Sequence, residues 1–325
     1  MTRYLLISAL IVSQAVSGQE FREYLAEVRL TAIESGIGAR TIDTAFFNLK
    51  PDERVIGFDR RQPEFVQTFE EYLAARVSDI RMREARRFFN KYAALLSQVE
   101  REYQVDAAYI VAIWGLETSF GKYQGKYKVI RSLATLGHDP RRSAFFTKEL
   151  MYALKILDEQ HIAADDFVGA WAGAMGQPQF MPGSFLKYAV DQDGDGRKDI
   201  WHSRADVFAS IANYLQKAGW RFGQGWGKVT ERTGGDWRGI ANSQPDPSCR
   251  ALRYHTKKFS RDFWASAGFD VAGLRSELDY SLLLPQSEDR SNYLVGGNFR
   301  AILRYNCANK YAVSVGILAD HILQK

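Results

Sequence analysis

Apolar positions recur at helical spacing along most of the chain and give way to short extended runs in one stretch. "FREYLAEVRLTAIESG" repeats its apolar residues every three or four positions and stops at Gly36. "PEFVQTFEEYLAARVSDIRMREARRFFNKYAALLSQVEREY" predicts two more amphipathic helices, its charge runs forming their solvated faces. "RSLATLG" and "RRSAFFTKELMYALKIL" keep the same period. From about residue 220 to 296, between "GWRFGQGWGKVTERTGGDWRG" and "LLLPQSEDRSNYLVGGN", Gly, Trp and Thr replace it with turns and strands. Helical spacing returns in "NFRAILRYNCANKYAVSVGILADHILQ". No fixed-period repeat or low-complexity tract interrupts this order. The pattern predicts a mainly α (α+β) protein whose helical core is interrupted by a small β-rich insert.

With 325 residues, 46% of them hydrophobic, the chain can bury a large core in more than one lobe. Its start adds a separate signal. Arg3, an apolar run from Tyr4 to Val12 and the small residues Ala15, Ser17 and Gly18 have the three-part form of a secretory signal over residues 1–18. The alternatives are a short membrane anchor or a buried first helix, but the run falls short of the ~20 apolar residues that span a bilayer. No Cys follows it to carry a lipid, so a soluble, exported protein without a lipid anchor is expected. The formal charge of +5, or +4 once Arg3 is lost, suits an anionic polymer and equally a merely soluble protein. Export, rather than charge, argues against nucleic acid as a partner. Two cysteines, Cys249 and Cys307, in an oxidising compartment make one disulfide the simple reading, with two free buried thiols as the alternative.

One acid stands out. In "AIWGLETSFG", Ile110, Ile113, Trp114 and Glu117 fall on one helical stripe, which turns Glu117 inward. Gly121 is a natural helix stop, so Glu117 sits near the negative pole of the backbone dipole, where its charged form is disfavoured. The bland reading is a structural carboxylate paired with Arg or Lys; the functional one is a general acid. Further on, "GAWAGAMGQPQFMPGSF" places Gly169, Gly173 and Gly176 at helical positions, a seam for close approach of a backbone or ligand, or simply tight helix packing. Pro178 then ends the helix and aims Gln177 or Gln179 outward.

"DQDGDGRKD" is more specific. Asp191, Asp193 and Asp195 occupy positions 1, 3 and 5 and Gly196 position 6 of a calcium loop, with the Arg197 carbonyl as a further donor. Position 12 is His202 instead of the bidentate Glu, so Asp199 is expected to close a shorter loop; the alternative is an acidic turn in solvent. Bound Ca²⁺ is expected to be structural, and no organic cofactor is implied.

Taken with "LATLGHDPRR", "WAGAMGQPQFMPGSFLKYAVDQDGDGRKDIW", "SIANYLQKAGW" and "RYNCANKYA", these motifs resemble, in order, the lytic murein transglycosylases of the membrane-bound B type, relatives of goose-type lysozyme. The resemblance covers nearly the whole mature chain. It implies an N-terminal helical region over 19–104 and a lysozyme-like core over 105–325, with the calcium loop at 191–202 and the β-rich insert at about 220–296 within it. Matched residue by residue, Glu117 takes the place of the single catalytic acid. Tyr72, Arg141, Arg142, Gln179, Tyr214, Tyr305, Asn306 and Tyr311 match positions lining the glycan groove. Ala170 stands where relatives often have a Ser that helps orient the substrate's acetamido group.

The implied reaction cleaves the β-1,4 bond between N-acetylmuramic acid and N-acetylglucosamine in peptidoglycan without water, Glu117 acting first as acid and then as base. The substrate's N-acetyl group replaces a second carboxylate. A hydrolytic muramidase and a non-catalytic, calcium-stabilised wall-binding protein are the alternatives. A periplasmic monomer acting on glycan strands, with cell-wall synthases or amidases as possible partners, is the corresponding expectation.

Overall fold

The computed structural model describes residues 3–61, 67–231, 246–284 and 292–324, of which 3–18 and 61 by backbone alone. The helices are α1 (Arg3–Glu34), α2 (Ala39–Phe46), α3 (Glu53–Arg61), α4 (Phe69–Arg76), α5 (Asp79–Lys91), α6 (Ala93–Tyr103), α7 (Ala107–Thr118), α8 (Val129–His138), α9 (Ser143–Asp158), α10 (Pro182–Tyr188), α11 (Arg204–Lys217), α12 (Arg261–Ser266), α13 (Gly297–Tyr305) and α14 (Asn309–Leu323). The strands are β1 (Tyr127–Lys128), β2 (Val168–Gly169), β3 (Gly227–Thr230), β4 (Phe259–Ser260), β5 (Asp279–Leu283) and β6 (Asn292–Val295). The fold is mainly helical with a small sheet.

Local chemistry sets several boundaries that periodicity blurs. Thr68 and Glu71 form a reciprocal capping box at the start of α4, and the Ser78 hydroxyl accepts from Arg81 N–H at the start of α5. The stretch read as two helices therefore holds three among the described residues. In α1 the helix runs through the region read as a secretory signal. No helix among the described residues is long and apolar enough to cross a membrane.

Two compact units emerge, each made of two chain segments: 1–63 with 123–206, and 64–122 with 207–325. The border expected at residue 104 coincides with neither, because α5 and α6 pack on α7, inside the second unit.

In the first unit α8 lies against α9, with α1, α2, α3 and α10 around them. The buried side chains of Leu133, Leu150, Leu154 and Phe185 form its core. β1 and β2 pair antiparallel, Tyr127 opposite Gly169. After β2 the glycine-rich stretch is not the helix its spacing suggested. Single bridges join Gly169 to Met175 and Met175 to Phe180, and Gly173 and Gly176 take φ of 89° and 64°. A left-handed backbone next to the Leu133 side chain and the Ile200 main chain requires glycine there, and that requirement only imitated a helical seam.

In the second unit α7 is buried on every side, and α14 and α5 pack against it. The insert supplies an antiparallel sheet in the order β3-β6-β5-β4, with its own core around Trp264, Phe269, Tyr280, Leu282 and Leu294. Cys249 and Cys307 form a disulfide with Cα atoms 5.5 Å apart. This bond joins the chain just before a short 3-10 turn (Arg250–Tyr254) to the link between α13 and α14.

Candidate active site

Burial of α7 leaves its final turn to decide where Glu117 points. Ile110, Ile113 and Trp114 are fully buried, whereas Glu117 is only half-buried, so the shared stripe ends at the edge of the core rather than within it. The helix stops at Thr118, earlier than Gly121 suggests. Ser119, Phe120 and Gly121 all take positive φ, at 50°, 63° and 84°. This left-handed run turns the chain back so that the Phe120 ring covers Gly115; a Cβ at Gly115 would lie 2.6 Å from the ring. Thr118 Oγ1 accepts from Gly121 N–H at 3.0 Å and closes the turn.

Three tyrosines gather at this end of α7. Tyr311, buried on α14, donates to Glu117 Oε1 at 2.7 Å. Tyr305, at the end of α13, packs its ring 4.6 Å from that of Tyr214 on α11, whose hydroxyl donates to the Arg304 carbonyl. Burial raises the Tyr305 and Tyr311 phenols well above the ordinary range, and the charge of Glu117 adds to it in both. Both therefore remain neutral donors. Tyr72 on α4 also contributes to the field at Tyr311, and the Arg76 guanidinium lies 5.4 Å from the centre of its ring. Asn306 follows α13 and is exposed.

The start of α14 is anchored by groups the sequence did not single out. His255 and Asn309 are buried, with Nε2 of the imidazole 2.9 Å from the Asn309 Oδ1. The Asn309 Nδ2 donates to the Ala251 carbonyl at 3.0 Å, so its Oδ1 is an acceptor and His255 holds its proton on Nε2. Burial pushes His255 down to about 4 and keeps it neutral. These contacts cross more than fifty residues of chain, and no local pattern announces them.

The remaining positions expected to touch glycan lie in the first unit. Arg141 and Arg142 both pair with the buried carboxylate of Asp59, and Arg142 also lies over the Phe146 ring. Gln179, at φ 52°, donates to the carbonyls of Gly176 and Gln124. Gln177 turns inward, buried and donating to the Trp201 carbonyl, contrary to the outward direction expected of it as the alternative to Gln179.

The acidic loop also differs in detail. Carboxylates of Asp191, Asp193 and Asp206 come within 4.8 Å of one another. Asp195 accepts instead from Arg197 N–H, and Asp199 from the N–H groups of Trp201 and His202, so neither joins that cluster. Asp206 is fully buried at the start of α11 and accepts from Gln192 and Asp199 N–H; burial raises its pKa. Its signal in the sequence is Ser203 three residues earlier, which reads as an ordinary helix cap. Three converging oxygen donors without nitrogen or sulfur fit a hard cation such as Ca²⁺.

The family described as Transglycosylase SLT domain matches residues 20–320. The membrane-bound lytic murein transglycosylase B of Escherichia coli (strain K12) is 33% identical over 238 residues, 72% of this chain and 62% of its own length. SltB3 from Pseudomonas aeruginosa in complex with NAG-NAM-pentapeptide superposes with a TM-score of 0.84 at 39% identity, covering 95% of this chain and 81% of that one. The Escherichia coli lytic transglycosylase Slt35 in complex with calcium gives 0.73 at 26% identity, covering 94% and 93%. The match thus spans less than two thirds of the curated relative's length.

Proposed function

Since the chain belongs to the transglycosylase SLT family, as a lytic murein transglycosylase of the B type with a lysozyme-like helical core, we propose that it cleaves peptidoglycan glycan strands non-hydrolytically with Glu117 as the catalytic group. The observation that carries this reading is the hydrogen bond from Tyr311 to Glu117 at the end of a buried helix. The Glu117 charge acts on both the Tyr305 and the Tyr311 phenol.

Chemistry with a single carboxylate follows. Protonated Glu117 gives its proton to the glycosidic oxygen as the bond to C1 of the N-acetylmuramic acid residue breaks. The acetamido carbonyl of the same sugar shares the positive charge that forms at C1, the task of a second carboxylate in ordinary glycosidases. Glu117, now a carboxylate, removes the proton from the C6 hydroxyl, and O6 bonds to C1 to close a 1,6-anhydro ring. The proton given up is recovered and no water is consumed. Tyr311 holds the Glu117 carboxylate in one orientation, while Tyr305 and Asn306 offer hydrogen bonds to the sugar. Arg141, Arg142 and Gln179 are proposed to bind glycan.

A calcium ion held by Asp191, Asp193 and Asp206 would tie the loop to the start of α11 and take no part in the reaction. The likeness to Slt35 in complex with calcium supports the choice of ion. Residues 1–18 have the form of an export signal, which agrees with a periplasmic substrate.

Mass spectrometry of digested peptidoglycan tests the reading. Anhydro products, one water lighter than hydrolysed ones, are expected from the wild type. Glu117→Gln, which keeps shape and loses the proton, should lower turnover by at least ~10²-fold. Hydrolysed ends would make the protein a muramidase, and no products at all would make it a wall-binding protein.

A further inference from the structure

We propose that a basic cavity in the first unit, formed by Arg54, Lys126, Tyr127, Lys128 and Arg131 around Asp52, binds the carboxylates of the peptide stems on the glycan strand. This inference rests on the peptidoglycan reading above and adds a recognition element outside the residues assigned to the reaction.

The cavity measures about 310 Å³. Four cations face it against one carboxylate, an excess of three positive charges in a chain whose total is +5. The arrangement is built rather than accidental. Asp52 is buried, its N–H donates to Thr135 Oγ1 at 3.0 Å, and its carboxylate accepts from Arg54 Nε at 2.9 Å and Nη2 at 2.6 Å. Arg131 lies on the same carboxylate at 3.9 Å and donates to the carbonyls of Lys50 and Pro51 at 2.8 and 2.9 Å. One buried anion thus orients two guanidinium groups whose combined charge it only half neutralises. Lys126 and Lys128 are exposed, and Lys128 donates to the main-chain oxygen of Asp165, a neutral acceptor.

The aromatic side of the cavity narrows the ligand class. Tyr127 lies under the Arg54 guanidinium at 5.8 Å and meets Phe58 edge-on at 6.1 Å; Phe58 in turn lies 6.2 Å from Trp171. Phe58 is 41% exposed. Fixed cations beside an open aromatic row suit a ligand that joins carboxylates to apolar surface. A peptide carrying acidic groups and a free C-terminus meets both requirements.

The test compares glycan strands that carry their peptides with strands stripped of them by an amidase. For wild type and Lys126→Glu/Lys128→Glu, the kcat/KM ratio between the two substrates is measured. The double variant should lower the preference for peptide-bearing strands about tenfold, the effect of turning two exposed attractions into repulsions. Lys126→Arg/Lys128→Arg should keep it. An unchanged ratio, or equal losses on both substrates, would overturn the assignment. If the wild type cleaves neither polymer, the function proposed above fails. Cosedimentation with insoluble peptide-bearing and peptide-free peptidoglycan then decides this proposal: weaker binding of the double variant to the peptide-bearing form alone supports it, and any other pattern refutes it.

Discussion

Tyr311 donates to Glu117, and in the reaction proposed above that carboxyl group changes its protonation state twice in each turnover, so the expected effect of losing the bond is kinetic. A hydrogen bond to a charged group contributes about 1.5–3 kcal/mol. Tyr311→Phe is therefore expected to lower kcat by roughly ten- to a hundredfold with KM little changed. An equal rise in KM would show that the tyrosine serves sugar binding instead of Glu117. Glu117 itself is legible in the sequence because a helical stripe of Ile110, Ile113 and Trp114 has no ordinary place for an acid. Its half-exposure is not, because that depends on a left-handed turn through Ser119 and Phe120, residue types that rarely adopt it. Asp59 went unseen for another reason: its partners Arg141 and Arg142 lie over eighty residues away along the chain.

Among the elements, α8, α9 and α14 could be read directly from their apolar spacing, although none of the three carries a side-chain cap at its start. The glycine-rich stretch after β2 could not, since Gly173 and Gly176, needed for positive φ, happened to fall at helical spacing from Gly169 in β2. The acidic loop shows the same division. Asp191 and Asp193 are visible from their spacing, but the third converging carboxylate, Asp206, comes from the first turn of α11. A cation bridging them favours the folded state by about 2.7 kcal/mol at a hundredfold excess over Kd. Chelator should thus lower the melting temperature of the wild type, and Asp206→Asn should abolish most of the calcium-dependent shift. Identical melts with and without calcium would remove the ion from the account. Activity should survive chelation wherever the protein stays folded.

At the scale of the whole molecule, the buried His255 and the half-buried Asp320 in the second unit set opposing pH dependences. Asp320 is raised by burial to about 6, although Trp226 donates to it, against 3.8 for the free side chain. Its neutral form is the one the fold prefers, so its contribution is complete below pH 4 and is lost as pH rises through about 6. His255 is depressed from 6.5 to about 4, so its contribution is complete above pH 6.5 and is lost as pH falls towards 4. Each shift corresponds to roughly 3 kcal/mol. Between pH 4 and 6 the two nearly cancel, and substitution should separate them. Asp320→Asn keeps an acceptor for Trp226 without a charge. Relative to wild type it should be stabilised at pH 7, and that advantage should disappear by pH 4. His255→Gln keeps a donor for Asn309 and cannot be protonated; relative to wild type it should gain stability as pH falls from 7 to 4. Denaturant unfolding of the three proteins across this range measures both differences. Parallel curves would show that neither group titrates in the folded state as its burial requires.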